Sequence, residues 1–173
     1  MNIGIFTSSR SDYGILKNII KLFNNSKDFK LKLFVAGSHL SNIFGSTISE
    51  IKKDNINNII KCPNIIVKKG EIDISESYLN LSKVFLKNIK KKKNTIDLMV
   101  LLGDRYELLP IVNICLLKGI KIAHLHGGET TEGVIDNYVR KIVSISSNYH
   151  FVSTNKSKFN LLKHGIKNKN IVV

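Results

Sequence analysis

The chain has 173 residues, 43% of them hydrophobic, and carries 27 Lys and Arg against 13 Asp and Glu, a formal charge of +14. Length and apolar share suit one globular domain with a sizeable core, and the charge would ordinarily raise nucleic acid or an anionic membrane as a partner. Neither is expected here: the excess is almost all Lys in a sequence crowded with Ile and Asn, no RNA-recognition aromatic motif or zinc-finger spacing occurs, and no apolar stretch is long enough for a membrane span or a signal peptide.

Strand-like and helix-like segments alternate, which predicts βαβ units and an α/β, Rossmann-like three-layer fold around a parallel sheet. A first strand is expected over Asn2–Thr7, a helix over Asp12–Phe23 and a second strand over Leu31–Ala36. Phe44–Lys53 reads as a helix, Ile65–Lys68 as a short strand, and Ser75–Lys92 as a long amphipathic helix carrying Leu79, Val84, Phe85 and Ile89. Leu98–Leu102 is a continuous apolar run, as in a strand covered on both faces. Then follow helix Leu108–Lys118, strand Lys121–Leu125, helix Ile135–Ile145, strand Tyr149–Val152, helix Lys156–His164 and a strand beginning at Ile171. Cys62 and Cys115 lie far apart without CxxC spacing, so reduced, buried thiols and a cytoplasmic location are the expectation. Lys90–Lys93 is read as a solvated helix end.

The candidate chemistry gathers at predicted strand ends, where open α/β sheets bind ligands. Only three of the 27 basic residues are Arg, at 10, 105 and 140, beside Gly-rich or acidic segments where a planar guanidinium fork suits phosphate or carboxylate. Ser8-Ser9-Arg10-Ser11-Asp12-Tyr13-Gly14 joins the first strand to the first helix, either as a phosphate seat or simply as a helix start capped by Ser11. Asp104 directly follows the buried strand and Gly103, either as a tuned acid or base or as a helix cap. His124 and His126 are two apart, which on a strand aims both at one face, yet no further Cys or His lies near enough in sequence to complete a metal site. Gly127 and Gly128 follow as a turn that lets a ligand approach the backbone, and Glu129 emerges from it. Asp136 precedes Arg140 by four residues, the spacing of a surface ion pair on a helix. Three acids and an arginine at neighbouring strand ends favour a site over separate structural roles.

In order along the chain, SSRSDYG, AGSHLSNIFGSTISEI, GDRYELLP, AHLHGGETTEGVIDNYVRK and HFVSTNKSK resemble the hydrolysing UDP-N-acetylglucosamine 2-epimerases of sialic and nonulosonic acid synthesis. The resemblance spans the whole chain; the non-hydrolysing relatives carry an EAG-type segment in place of HGGE. It implies the N-terminal half of a GT-B-like two-domain enzyme, with residues 1–173 forming one Rossmann-like domain and the C-terminal nucleotide-binding domain absent. It implies loss of UDP and of the C2 proton to give a glycal, then hydration to a free sugar of inverted C2 configuration, with neither cofactor nor metal. By motif match Asp104, Glu129 and Asp136 are the acid/base candidates, Arg10 a phosphate contact, and His126, Gly127, Gly128 and Arg140 substrate-binding residues. A UDP-sugar substrate, a missing domain supplied by another chain, and a homo-oligomer when full length follow from the same resemblance, and the 173 residues alone are expected to turn over little. The alternatives are a stand-alone nucleotide-sugar binding or regulatory module and a basic nucleic-acid partner.

Overall fold

The computed structural model describes residues 1–131 and 133–173. They form two compact units, Met1–Asp97 and Leu98–Val173, each built from parallel strands joined through helices.

In the first unit strands β1 (Asn2–Thr7), β2 (Lys30–Val35) and β3 (Ile59–Lys61) lie parallel in the order β3-β2-β1. Asn2 sits opposite Lys30, Thr7 opposite Val35, and Leu33 opposite Ile59. Helix α1 (Arg10–Asn24) buries Tyr13, Leu16 and Ile20, while Ile15 stays exposed. Its N-cap is Ser9, whose Oγ accepts from the Asp12 amide at 3.3 Å; the expected cap, Ser11, instead shares a 2.8 Å hydrogen bond with the Ser9 hydroxyl. The helix expected over 44–53 is interrupted, because Gly45 and Ser46 adopt φ of 78° and 44°, which no helix accommodates. A 3₁₀ turn at Asn42–Phe44 precedes it and α2 (Ile48–Lys53) follows. Asp54, just beyond α2, receives Lys17 at 2.9 Å, Lys21 at 3.1 Å and the Tyr13 hydroxyl at 2.7 Å. Burial opposes ionisation of this carboxyl, but those donors outweigh it and hold it at about 2.

The strand expected over 65–68 is not part of this sheet. Val67–Lys68 (β4) and Glu71–Ile72 (β5) make an antiparallel hairpin around Lys69 and Gly70, whose φ of 52° and 83° are those of a primed turn. Asp73 then caps α3 (Ile74–Ile89), accepting from the Glu76 amide at 3.0 Å. Helix α3 buries Leu81 and Phe85, with Phe85 edge-on to Phe34 at 5.2 Å, whereas Leu79 points to solvent. Lys90–Lys93 are exposed at the end of α3, as expected. Lys32 departs from the pattern of solvated lysines: it is buried in β2, its Nζ donates to the Thr95 carbonyl and to Asn2 Oδ1, and burial pushes its ammonium down.

In the second unit β6 (Leu98–Leu102), β7 (Lys121–Leu125), β8 (Tyr149–Phe151) and β9 (Ile171–Val172) are parallel in that order. Leu98 faces Lys121, Ala123 faces Tyr149 and His150 faces Ile171. Helix α4 (Leu108–Leu117) buries Leu108, Ile111, Val112 and Cys115 and packs on β7 and on α5 (Val134–Ser146). Helix α6 (Asn155–Lys163) is capped by Thr154, and Leu161 joins Val152 and Ile171 in a small core under Ile166. Among the described residues no helix is long and apolar enough to cross a membrane.

Candidate active site

The carboxyl ends of β6, β7 and β8 converge on one guanidinium. Asp104 follows Gly103, whose φ of 76° turns the chain away from β6; His126 and Glu129 leave β7, and Ser153 leaves β8. Arg140, on the second turn of α5, is 7% exposed in its side chain; its Nη2 donates to Asp104 Oδ2, and its Nη1 to Glu129 Oε2 at 2.9 Å and to the His126 carbonyl at 3.1 Å. This is the use of arginine that lysine cannot copy: one planar fork joins two carboxylates that lie 25 residues apart in the chain. The i,i+4 pair expected between Asp136 and Arg140 does not form, because the guanidinium turns inward to Asp104 and Glu129.

Glu129 accepts three side-chain donors. Its Oε1 accepts the Ser153 hydroxyl at 2.6 Å and meets His126 Nδ1 at 2.8 Å, while Oε2 holds Arg140. Partial burial opposes ionisation, yet Ser153, His126 and Arg140 together hold the carboxyl below its ordinary range. The loop carrying it is fixed from both sides: Asn160 Nδ2 donates to the Gly128 carbonyl at 2.9 Å, and Asn137 Oδ1 accepts from the Thr131 amide at 2.9 Å. Glu132, part of the quoted HGGETTEG segment, lies outside the described residues.

The two histidines of the HxH pair have different environments. His124 ends inside β7, wholly buried, with Nε2 2.8 Å from the Gly103 carbonyl and Nδ1 3.1 Å from Ser144 Oγ. Nε2–H therefore donates to the carbonyl and Nδ1 accepts the hydroxyl, which occupies both ring nitrogens; burial lowers its titration to about 4. His126 has already left the strand, with φ of 60°, so the two rings do not share a sheet face as alternation predicts. Gly127 and Gly128 have packing reasons of their own. A Cβ at Gly127 would lie 2.9 Å from His124 Nδ1, and one at Gly128, where φ is 72°, would lie 2.3 Å from the Ser157 carbonyl oxygen.

Asp136 stands exposed in the first turn of α5, its Oδ2 only 2.6 Å from where a Cβ of Gly133 would be. In the first unit Arg10 opens α1, exposed, with Nε 3.2 Å from Glu50. Ser8 beside it bonds Asp12 Oδ2 through its hydroxyl at 3.2 Å, and its carbonyl accepts the Ser38 amide at 2.9 Å. Sequence reasoning missed Ser153, because a serine at a strand end carries no pattern until the fold sets it against Glu129. It also missed His39, buried between Thr7 Oγ1 at 3.0 Å and Thr47 Oγ1 at 2.7 Å.

A family described as UDP-N-acetylglucosamine 2-epimerase matches residues 21–173. The chain belongs to that family. Among curated relatives, the GDP/UDP-N,N'-diacetylbacillosamine 2-epimerase (hydrolyzing) of Campylobacter jejuni is 35% identical over 98% of this chain. The UDP-N,N'-diacetylbacillosamine 2-epimerase (hydrolyzing) of Legionella pneumophila is likewise 35% identical, over 95%. Each match covers 43% of the relative, so the chain spans less than half the length of these epimerases. The crystal structure of UDP-GlcNAc 2-epimerase from Neisseria meningitidis bound to UDP-GlcNAc superposes with a TM-score of 0.83 over 100% of this chain and 46% of that one, at 18% identity. The Rossmann-like α/β fold expected from the alternation of elements is therefore the fold observed.

Proposed function

We propose that this chain supplies the N-terminal, GT-B-like half of a hydrolysing UDP-HexNAc 2-epimerase, which releases UDP and a free 2-epimeric sugar of the N-acetylmannosamine type through a glycal. The observation that carries the reading is the Arg140-centred cluster, which fixes Asp104 and Glu129 at the carboxyl ends of adjacent parallel strands. A sugar C2 proton is weakly acidic and needs a positioned base, and departing diphosphate needs fixed positive charge. Asp104, Glu129 and Asp136 are assigned to the acid/base steps, Arg10 to the diphosphate, and Arg140 to orienting the carboxylates. His126, Gly127 and Gly128 form the wall of the sugar site. The hydrolysing branch is supported by the two relatives at 35% identity, both of them hydrolysing 2-epimerases.

A second Rossmann-like domain, on the same or another polypeptide, completes the cleft, and the 173 residues alone turn over little. Pairing of two copies is supported by α5, whose Ile135, Tyr138, Ile142 and Ile145 form an exposed apolar stripe at three- and four-residue spacing. A cytoplasmic location suits a nucleotide-sugar substrate and two free, buried cysteines. The test is to incubate UDP-2-acetamido sugars with the chain, alone and with the complementing domain. UDP release only with the domain present supports the proposal, release by the chain alone refutes its inactivity, and binding without turnover in either case favours a binding module.

A further inference from the structure

We infer that His126, in the wall of the sugar site, is the base that takes the sugar C2 proton, and that Glu129 serves that acid/base step by holding the ring rather than by touching the proton. The inference rests on the epimerase reading above and deepens it. Glu129 is heavily engaged: Ser153 and His126 occupy Oε1, and Arg140 holds Oε2. A carboxylate that accepts three donors, one of them charged, is a weak base. Asp104 is likewise tied to Arg140. His126 is the open member of the cluster. Its Nδ1–H donates to Glu129 at 2.8 Å, which leaves the Nε2 lone pair as acceptor, and its side chain is 40% exposed. A carboxylate on one ring nitrogen and a basic lone pair on the other is the arrangement that fixes a general base.

The backbone supports this assignment. Histidine at φ 60° costs on the order of 1–3 kcal/mol, and such strain persists only where the surroundings impose it. Here they do: the His126 amide donates to the Phe151 carbonyl at 2.9 Å, and its carbonyl accepts Arg140 Nη1 at 3.1 Å. The groups around the ring are Glu129 on its own turn, Arg140 from α5, Asp104 reached through Arg140, the uncharged Ser153 after β8, and the buried His124 and His150 of β7 and β8. In the step, the Nε2 lone pair forms an N–H bond to the C2 proton. The C2–H electron pair becomes the C1=C2 bond, and the C1–O bond breaks with its pair leaving on UDP. The products are glycal, UDP and imidazolium, which returns its proton to solvent.

Two measurements test it. In the isolated chain, ring ¹⁵N NMR at neutral pH is expected to show His126 protonated on Nδ1 and bare on Nε2, with that preference lost in Glu129→Gln; the opposite tautomer overturns the proposal. In the chain assembled with its complementing domain, His126→Gly is expected to fold, to lose UDP release by about 100-fold or more, and to recover part of it with added imidazole. His126→Asn, which tolerates the same backbone, is expected to lose as much without rescue. Full activity in His126→Gly overturns the proposal while leaving the epimerase reading intact. An unsubstituted assembly that releases no UDP overturns that reading and this step with it, whereas the tautomer still reports whether Glu129 orients the ring.

Discussion

Arg140→Met is the substitution that most directly loads the described cluster. Methionine keeps much of the buried volume but removes three donor contacts at once, to Asp104, to Glu129 and to the His126 carbonyl. Removing one partner of a buried ion pair typically costs about 3–5 kcal/mol. The Asp104 and Glu129 side chains retain 20% and 28% exposure, so water takes up part of the deficit and the lower end, about 3 kcal/mol, is expected. With a urea slope of about 2 kcal/mol/M, the midpoint falls by about 1.5 M at pH 7. The chain has no Trp, so far-UV circular dichroism is the probe. The loss is also pH-dependent. Glu129 is held below its ordinary value of 4.5, so its stabilising contribution is present above that pH and disappears as pH falls through the lowered folded value. The gap between parent and variant therefore narrows in acid. A midpoint within about 0.3 M of the parent at pH 7, or a gap that widens in acid, would refute the view that Arg140 organises the two carboxylates.

Other perturbations separate local causes. His124 titrates near 4 when folded against 6.5 ordinarily, so stability is complete above pH 6.5 and is lost as pH falls towards 4, by up to about 3 kcal/mol. Urea midpoints from pH 7 to 4 should show that slope, and His124→Gln should flatten it, while His150, also depressed by burial, keeps a remainder of the same sign. Gly128→Ala forces a Cβ to 2.3 Å from the Ser157 carbonyl oxygen at φ 72°, and should cost about 2 kcal/mol or more in the same assay; an unchanged midpoint would mean that α6 moves aside freely. Asp54→Asn removes the carboxylate shared by Lys17 and Lys21, and should destabilise the parent by about 1–2 kcal/mol at pH 7 and by less near pH 2, where the parent's own carboxyl is half protonated.

Strands β1, β6 and β7 have the bounds their apolar runs predict, because buried parallel strands write themselves as continuous hydrophobic segments. Strand β3 is three residues at an edge, with one residue buried, and so carries no such run; the Val67 region competes with it in composition but turns back on itself at Lys69-Gly70. The same split governs the site. Asp104, Glu129 and Arg140 are legible by residue type at strand ends and by the scarcity of arginine. Which acid Arg140 binds is not, since the helix spacing points to Asp136 while the fold supplies Asp104 from 36 residues away. Ser153 and the separate roles of His124 and His126 depend on strand register and on one left-handed residue, neither of which residue order alone sets.

The cluster is proposed to serve proton removal from a sugar carbon as UDP departs. Proton NMR of products formed in D₂O, from a UDP-2-acetamido sugar and the chain assembled with its complementing domain, tests it most directly. The expected products are UDP and a free sugar of inverted C2 configuration carrying deuterium at C2. A free or UDP-linked sugar that keeps its original C2 proton would contradict it.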